Sequence, residues 1–590
     1  MNYIGINENH HASSCVIEED GTIHFLEEER ISRIKYDQVP TFSFNEVMID
    51  VGKIDENDNE YYVSNVSLLG GDAQKYPLYK FSKIDINDPY FIQNYRVKVT
   101  DLGDCHHNTH AVGAMSRSNF SDALIVVTDG MGSSVISSDN LKFHEYQSIY
   151  NVNEKGDVDV LEKKYTLSKF YSSKDKNIKQ PTPVINYDNE TKYHYSMGVG
   201  IARLFESAAV KLGMTLNDSG KLMGLAPYGN AKNKKINFFL EDNETVDISL
   251  IRYDPENNKK HFVCHESLDW DIIHSSWLND KKKYEQRFAD FAYQIQAQTQ
   301  EYLYDTIKKY LEKTKKTNVI ITGGYGLNCV ANYFIRKKLD EDFGFGKIKL
   351  FADPLSNDAG NSHGAAVNHL YDKTKKFRIA NFNTLYLGPK RQYVIEEVLK
   401  HEGVSYKSVT STDVAKLIAD RNIVALFQGR SEAGPRALGN RSILYDPTDP
   451  NGRDHVNSVK RREWFRPFAG SILHEHMNEW FDMASLDESP FMMYAVDVLP
   501  EKVKEIPAIT HVDDTCRVQT VKHNQNKYYY ELIEEFYKLT GVPILFNTSF
   551  NLAGDPLVET LDDAILTLKN SDIEYMYMPE LGKLIEVKNE

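Results

Sequence analysis

The sequence predicts an α/β protein with more than one domain. Its 590 residues exceed what one hydrophobic core usually organises, so two or more domains are expected. Residues 284–316 carry apolar side chains on one helical face and charges elsewhere, which indicates a long amphipathic helix. This helix runs into the apolar strand 318–322 and then into Gly323 and Gly324, and a strand that follows a helix is typical of α/β folds.

The start of the chain alternates apolar and polar residues and predicts three short strands. They cover residues 3–7, 14–18 and 22–26, with a turn at 19–21 between the last two. A similar unit of strand, polar turn and returning strand recurs at residues 123–137. We therefore expect a loose internal repetition rather than a short-period repeat.

A polar, basic stretch at residues 372–384 has weak periodicity and predicts a domain boundary. We expect one domain at 1–375 and a second at 385–590. The second domain again mixes helices with short strands, such as 423–427 and 542–546.

The bulk composition is that of an ordinary globular protein, with 41% hydrophobic and 26% charged residues and a net charge of -16. Such an acidic chain repels phosphates, so we expect no broad nucleic-acid-binding surface. The five cysteines are scattered, which predicts a reducing compartment. The sequence shows no signal peptide and no apolar run long enough for a membrane helix, so we expect a cytoplasmic protein without a membrane partner.

Two histidines four residues apart, His106 and His110, predict a metal site. On a helix this spacing puts both imidazoles on one face. Asp129, which ends an apolar strand, and Asp358 are the candidate carboxylate ligands. Two histidines with carboxylates favour iron, manganese or zinc over magnesium. The alternative is that these histidines, with His107, simply lie on the surface at a helix start.

Three glycine phrases predict a nucleotide held between two lobes, because glycine lets backbone N–H groups approach phosphate closely. Each phrase follows an apolar or helical segment, and each could alternatively form only a tight turn. The phrases contain Gly130 and Gly132, then Gly220 and Lys221, and finally Gly323 and Gly324 with Asn328 and Asn332 downstream. No Walker phosphate loop or Rossmann fingerprint is present.

A run of arginines between residues 430 and 466 predicts an anion pocket. It holds eight Lys or Arg residues against five Asp or Glu residues in an otherwise acidic chain. Arginine binds phosphate or carboxylate through two parallel hydrogen bonds. The alternative is a solvated charged surface, although Gly, Pro and aromatic residues interleave the run.

Asn547 and Thr548 follow a strand and could add neutral donors or form a simple turn. His10 lies at the first turn and could act as a general base or make a structural hydrogen bond.

In order, these phrases resemble the carbamoyltransferase family of the NodU/CmcH type, which carbamoylates hydroxyl groups on nodulation factors and antibiotics. The resemblance covers nearly the whole chain. It rests on Glu28-Glu-Arg30 with Arg33 and Lys35, His106-His107-x-x-His110-Ala, Asp129-Gly-x-Gly132, Gly220-Lys-x-Met-Gly-Leu-Ala-Pro-Tyr-Gly229, Asp358-x-Gly360, Gly429-Arg-x-Glu-x-Gly-Pro-Arg-Ala-Leu-Gly-Asn-Arg441, Lys460-x-Arg-Glu-x-Phe-Arg-Pro-Phe468 and Asn547-Thr-Ser-Phe-Asn551.

The resemblance implies both the fold and the reaction. Residues 1–375 would form the duplicated fold of actin, sugar kinases and Hsp70 (the ASKHA fold), and 385–590 a YrdC-like α/β domain. Carbamoyl phosphate and ATP would give carbamoyl-adenylate in the C-terminal domain, and the carbamoyl group would then pass to an alcohol in the N-terminal domain.

Site roles also follow from the resemblance. The catalytic residues would be His10, Lys35, Arg430 and Arg436. The residues binding the nucleotide or carbamoyl phosphate would be Gly130, Gly132, Gly220, Lys221, Gly323, Gly324, Asn328, Asn332, Arg441, Lys460, Arg466, Asn547 and Thr548. The metal, typically iron as Fe(II), would bind His106, His110, Asp129 and Asp358. A role for Mg²⁺ with ATP stays open, as does a homodimer.

The acceptor is not readable from the sequence. A sugar hydroxyl, an antibiotic hydroxymethyl group and a hydroxymethylated pyrimidine are the candidates. Residues 150–195, rich in Lys, Asp, Asn and Tyr, are expected to form an irregular insertion, and with 230–280 they are predicted to set acceptor specificity. Two rival interpretations are a fused tRNA threonylcarbamoyladenosine synthase and an Hsp70-like ATP-binding module without group transfer.

Overall fold

The computed structural model gives the arrangement of most of the chain. It describes residues 2–8, 11–52, 60–64, 98–136, 142–167, 184–186, 192–196, 199–230, 236–239, 246, 251–254, 260–263, 272–398 and 400–587. His10 lies outside the described residues.

The first sheet has five strands in the order β3-β2-β1-β4-β5. β1 is antiparallel to β2 and parallel to β4, and β4 is parallel to β5. These strands are β1 (Tyr3–Asn7), β2 (Ser13–Ile17), β3 (Ile23–Glu27), β4 (Glu60–Ser64) and β5 (Lys98–Asp101). Helices α1 (Glu28–Ser32) and α2 (Thr41–Val51) follow β3.

The second sheet repeats this plan around β6. Its central order is β9-β8-β6-β14-β15, with β6 antiparallel to β8 and parallel to β14. The strands are β6 (Ala123–Thr128), β7 (Ser134–Ile136), β8 (Lys142–Val152), β9 (Val158–Leu167), β10 (Val184–Asn186), β11 (Lys192–Ser196), β14 (Asn318–Thr322) and β15 (Lys349–Ala352). Two sheets with the same order and directions confirm the duplicated fold that the actin-like resemblance implied.

Six further helices of the N-terminal part lie within the described residues, and the last of them packs on β1, β2 and β4 of the first sheet. They are α3 (His106–Ser118), α4 (Ile201–Lys211), α5 (Ser219–Leu225), α6 (Gln286–Thr314), α7 (Cys329–Phe343) and α8 (Gly360–Thr374). A separate hairpin pairs β12 (Ile251–Asp254) with β13 (Lys260–Val263). Gly364 of α8 lies so close to α3 that a Cβ atom there would be 2.2 Å from the carbonyl oxygen of Thr109. This close helix crossing brings α8 against the first turn of α3.

The C-terminal part builds one mixed sheet of ten strands in the order β16-β25-β24-β17-β18-β23-β19-β22-β21-β20. The strands are β16 (Val404–Ser408), β17 (Val424–Phe427), β18 (Arg441–Tyr445), β19 (Ala469–Leu473), β20 (Phe481–Asp482), β21 (Ala495–Val498), β22 (Thr515–Val521), β23 (Ile544–Ser549), β24 (Tyr575–Met578) and β25 (Lys583–Val587). The helices are α9 (Ile395–Val398), α10 (Ser411–Ala419), α11 (Gly452–Val459), α12 (Met477–Trp480), α13 (Lys527–Thr540) and α14 (Leu561–Lys569). The YrdC-like character of this part stays a prediction.

The two parts share buried apolar contacts. One hydrophobic cluster contains Met115 and Leu355 together with Leu387 and Leu438. Among the described residues, no helix combines the length and apolarity needed to cross a bilayer.

Most local predictions from the sequence are confirmed. The predicted helix at 284–316 is α6, the strand at 318–322 is β14, and the opening strands agree within one residue. The irregular insertion predicted at 150–195 is wrong for residues 150–152, 158–167, 184–186 and 192–195, which belong to β8, β9, β10 and β11. Residues 168–183 and 187–191 lie outside the described residues. The polar composition of β8 and β9 reflects buried ion pairs within the sheet, such as Lys163 with Glu145 at 2.8 Å.

Candidate metal and anion sites

The metal candidates begin at the first turn of α3, whose N-terminus is held by side chains from the second sheet. The N–H of His106 donates to Oγ of Ser133 at 2.9 Å, and that of His107 to Oε1 of Glu145 at 3.2 Å. These bonds satisfy N–H groups that the helix itself leaves unpaired. Burial raises the pKa of Glu145, but His107 and Lys163 lower it by more, to about 2. The carboxylate therefore stays charged and fixes where α3 starts.

The four predicted ligands come together at this helix start. Nε2 of His106 lies 3.2 Å from Nε2 of His110, 3.3 Å from Oδ2 of Asp129 and 3.5 Å from Oδ1 of Asp358. Oδ1 of Asp358 is also 3.6 Å from Nε2 of His110. All four ligand atoms lie within 4.8 Å of one another. Asp129 directly follows β6, and Asp358 lies in the loop after β15.

This donor set fits a divalent metal ion. Two buried imidazole nitrogens face each other at hydrogen-bond distance, an arrangement that a shared cation between them would explain. Burial lowers the pKa of His106, but the Asp358 and Asp129 carboxylates raise it by more, to about 10. Separations of 3.2–3.6 Å between neighbouring donor atoms suit metal bonds of about 2.0–2.2 Å. Iron as the specific metal stays a prediction.

Gly323 and Gly324 bring the end of β14 against Asp129. Gly323 has a φ of +81°, and a Cβ atom there would lie 2.5 Å from the carbonyl oxygen of Thr128. The N–H of Gly324 donates to Oδ1 of Asp129 at 3.1 Å. Gly324 therefore orients the carboxylate of a candidate metal ligand, and the predicted contact of both glycines with a nucleotide stays a prediction.

The glycines after β6 also permit close packing at this site. A Cβ atom on Gly132 would lie 2.6 Å from Cδ2 of His107, and one on Gly130 would lie 2.8 Å from Oε1 of Glu206. A side chain at either position would therefore displace its neighbour. Gly220, in contrast, faces open space.

A second concentration of charge lies where the C-terminal sheet meets the N-terminal part. We call the following residues the cation cluster: Arg436, Lys460, Arg462, Arg466 and Arg517. Burial lowers the pKa of Lys460 well below its ordinary value, and Arg462 and Arg466 lower it further. Burial, followed by Arg517, lowers the pKa of Arg436 to about 9. Cations that repel one another in a half-buried site are stabilised by a bound anion.

Two lysines from the N-terminal part extend the cation cluster. Nζ of Lys221 lies 2.6 Å from Oε1 of Glu463, whose other oxygen is 3.3 Å from Nη1 of Arg466. Burial lowers the pKa of Lys35, Glu29 opposes this, and Arg466 lowers it further. The predicted site is thus assembled at the junction of the two parts and not within the C-terminal part alone.

A four-residue 3₁₀ turn, Gly324–Leu327, links the two sites. Its first N–H contacts Asp129, and its last carbonyl accepts from Nη2 of Arg436 at 3.2 Å. At about 2 Å of rise per residue, the turn spans only about 6 Å.

The structure places Arg430 and Arg441 away from the cation cluster. The guanidinium of Arg430 donates to the carbonyl oxygens of Ile23, Leu387 and Gly388 at 2.7, 2.7 and 2.5 Å. Arg441 is fully buried, donates to the carbonyl of Gln428 at 2.6 Å and stacks on Phe427. Both guanidinium groups are engaged with the protein itself, and their proposed roles toward ligands stay predictions.

The predicted asparagine and threonine donors have mixed placements. Nη1 of Arg462 lies 3.4 Å from Oγ1 of Thr548, so Thr548 contacts the cation cluster. Asn328 caps α7, accepting from the N–H of Ala331 at 3.0 Å. Asn332 and Asn547 are buried and donate elsewhere: Asn332 to the carbonyl of Gly326 at 2.8 Å, and Asn547 to Oγ of Ser471 at 3.0 Å.

Sequence reasoning did not single out Arg462 or Arg517. Arg462 lies within the basic run 460–466, so the run itself was a usable signal. Arg517 is an isolated arginine in the apolar strand β22, and no local pattern indicates that it faces the cluster.

Two family models match successive stretches of the chain. The family models described as "Carbamoyltransferase N-terminus" and "Carbamoyltransferase C-terminus" match residues 51–367 and 415–583. The chain belongs to the carbamoyltransferase family. This membership confirms the resemblance and the enzyme class that the motifs implied.

Two nodulation proteins illustrate the relationship. The chain is 34% identical over 376 residues to nodulation protein NolNO of Sinorhizobium fredii, a match covering 62% of the chain and about half (52%) of NolNO. It is 28% identical over 493 residues to nodulation protein NolO of Bradyrhizobium diazoefficiens, covering 80% of the chain and 76% of that protein.

Among solved structures, the chain is similar to two HypF proteins. HypF from T. kodakarensis matches with 14% identity and a TM-score of 0.36, over 64% of this chain and 49% of that one. Full-length HypF in its phosphate- and nucleotide-bound form matches with 13% identity and a TM-score of 0.32, over 63% and 55%. Likeness at this level carries no conclusion about the site.

Proposed function

We propose that this carbamoyltransferase is ATP-dependent and transfers the carbamoyl group to an alcohol. Activation takes place at the cation cluster, and transfer takes place at the histidine–carboxylate cluster. The observation that carries the proposal is the pairing of these two sites across the short turn Gly324–Leu327.

The activation step joins carbamoyl phosphate with ATP. A water molecule hydrolyses carbamoyl phosphate to carbamate and inorganic phosphate, and a carbamate oxygen then attacks the α-phosphate of ATP. Carbamoyl-adenylate forms and pyrophosphate leaves. Arg436 and Arg466 neutralise the phosphate groups, while Lys35 and Lys221 close the site from the N-terminal part. Lys460, whose ammonium also donates to the carbonyl of Asn551 at 2.8 Å, adds to the positive charge behind them. We assign this step to a YrdC-like domain at 385–590, with Mg²⁺ accompanying ATP.

The transfer step belongs to the domain at 1–375. His106, His110, Asp129 and Asp358 would hold a metal ion, which we propose to be Fe(II). Such an ion supplies a Lewis acid that polarises an oxygen of the carbamoyl donor. His10 removes the proton from the acceptor hydroxyl, whose oxygen attacks the carbamoyl carbon, and AMP leaves.

The acceptor is proposed to be a small molecule or a nucleobase with a free hydroxyl group. The net charge of -16 disfavours a long polyanionic acceptor. Among small molecules, we propose a sugar hydroxyl or an antibiotic hydroxymethyl group as the candidate acceptors.

The test is release of pyrophosphate from ATP by the purified protein with and without carbamoyl phosphate. We expect release only when carbamoyl phosphate is present. Equal ATP cleavage without it would refute the proposal, because the activation chemistry then would not involve the carbamoyl donor. Mass spectrometry of candidate acceptors for a gain of about 43 Da, the mass of a carbamoyl group replacing a hydrogen, identifies the acceptor.

A further inference from the structure

Two buried residues of the N-terminal part hold the backbone of Gly434, which lies more than 400 residues further along the chain. Oε1 of Glu27 accepts from the N–H of Gly434 at 2.9 Å, and Nη2 of Arg30 donates to its carbonyl at 2.8 Å. The two side chains also pair with each other at 3.3 Å and are 6% and 3% exposed. One glycine is thus bound at both of its backbone polar groups.

Gly434 belongs to the loop that carries Arg436. Its φ is +88°, and a Cβ atom there would lie 2.8 Å from Cδ2 of Leu355, so the loop lies flat against the segment that leads to Asp358. The loop is fixed a second time by buried Glu432, whose Oε1 accepts from the N–H groups of residues 438, 440 and 441. The span that presents Arg436 is therefore bracketed on both sides.

Only one residue separates Gly434 from Arg436, so a displacement of Gly434 carries directly to the guanidinium. Arg436 reaches across the site to the carbonyl of Leu327. A buried ion pair such as Glu27 with Arg30 contributes little to stability compared with an apolar pair. The contacts that the pair makes are therefore a better indication of its role than its contribution to stability. The geometry here is complementary to the backbone N–H and C=O groups of one loop residue, Gly434.

We infer that Glu27 and Arg30 are positioning residues for Arg436, and that they tie anion binding in the cation cluster to the N-terminal part. The inference rests on the proposed function only in naming the anion as a phosphate group. Glu27 at the end of β3 and Arg30 in α1 would then hold in place an arginine of the cation cluster that the C-terminal part supplies.

The test measures pyrophosphate binding to the full chain by calorimetry. Arg30→Lys keeps the charge beside Glu27 but loses the planar fork, and Glu27→Gln keeps an acceptor for the N–H of Gly434 but loses the charge. We expect binding to weaken at least about tenfold in Arg30→Lys, because small misplacement of a charged group is costly. The matched control is Arg336→Lys: Arg336 is also buried, pairs with Asp340 and donates to a carbonyl, that of Ile348, at 2.6 Å.

A double-variant comparison separates positioning from general damage. If Arg30 acts through Arg436, the double variant Arg30→Lys/Arg436→Lys binds pyrophosphate no more weakly than Arg436→Lys alone. Additive losses, wild-type affinity in both Arg30→Lys and Glu27→Gln, or absence of pyrophosphate binding by the wild-type protein would overturn the inference. If the wild-type protein binds pyrophosphate but shows no release dependent on carbamoyl phosphate, the proposed function fails while this binding test still decides the inference.

Discussion

The backbone N–H of Gly324 donates to Oδ1 of Asp129 at 3.1 Å. Three residues later, the carbonyl of Leu327 accepts from Arg436. A single short turn therefore touches a candidate metal ligand at one end and the cation cluster at the other. Because both contacts are made by backbone atoms, a displacement of the turn would change the positions of both Asp129 and Arg436.

Gly324→Ala tests the contact at the metal end of the turn. A Cβ atom on residue 324 would lie 3.1 Å from Oδ1 of Asp129 and would push the carboxylate aside. The backbone N–H is kept, so we expect a fall in metal affinity of about tenfold, the low end of the roughly 10- to 100-fold effect of disturbing a partner that orients a ligand. Titration of the metal-free protein with Fe(II) or Mn²⁺ measures this change.

Gly220→Ala is the matched control for metal affinity. Residue 220 faces open space, so the added methyl group should leave metal binding unchanged. Equal affinities of Gly324→Ala and the wild-type protein would contradict the role given to the turn.

His110→Ala removes a ligand directly. We expect loss of bound metal and a loss of transfer larger than the roughly 10- to 100-fold effect of losing an outer-shell partner. Pyrophosphate release should continue. Metal content, pyrophosphate release and acceptor carbamoylation are measured on the same preparation. His369→Gln is the control, since His369 is also buried and accepts from the N–H of Ile4 away from the cluster. Equal loss of both reactions in His110→Ala would argue against separate sites.

Arg436→Ala should have the reverse effect. Loss of a cation that faces developing phosphate charge is expected to slow pyrophosphate release by on the order of 10²- to 10³-fold. Metal content should stay at the wild-type value. Arg421→Ala, at a residue that is 55% exposed and 3.6 Å from Asp449, is the control in the same part of the chain. Unchanged pyrophosphate release in Arg436→Ala would be incompatible with activation at the cation cluster.

The charge on Glu145 should make stability depend on pH. Its folded pKa of about 2 lies below the ordinary value of 4.5, so its stabilisation is complete above pH 4.5 and is lost as the pH falls toward 2. Burial lowers the pKa of His107 to about 4, so at pH 7 Lys163 is the cation that stabilises the Glu145 carboxylate. The effect on the unfolding free energy is on the order of 1–3 kcal/mol. Urea unfolding of wild-type and Glu145→Gln proteins measures it at pH 7 and pH 3.

We expect Glu145→Gln to be less stable than the wild-type protein at pH 7 and the gap to narrow at pH 3. Glu154→Gln, at an exposed turn between β8 and β9, should follow the wild-type profile. A gap of the same size at both pH values would mean that Glu145 does not carry the predicted charge.

The sequence was most informative where chemistry depends on local spacing. His106 and His110 were predicted from a helical spacing, and α3 begins at His106. Asp129 was predicted because it ends an apolar strand before glycine, and β6 ends one residue earlier, at Thr128. In both cases, neighbouring residues on one element determine the placement.

The arginine run was less informative, because residue spacing does not show which of its side chains face a pocket. Gly429, Gly434 and Gly439 all have positive φ and change the direction of the loop, so Arg430 and Arg436 end in different places. The contacts of Lys221 with Glu463 and of Glu27 with Gly434 join distant parts of the chain. No pattern within either segment encodes the partner.

The measurement that tests the central claim most directly is removal of the metal from the wild-type protein by a chelator. The metal-free protein is then given ATP, carbamoyl phosphate and an acceptor. The account predicts that pyrophosphate release persists while carbamoylation of the acceptor stops and returns when metal is restored. If pyrophosphate release stops together with transfer, or if transfer continues without metal, activation and transfer are not divided between the two sites.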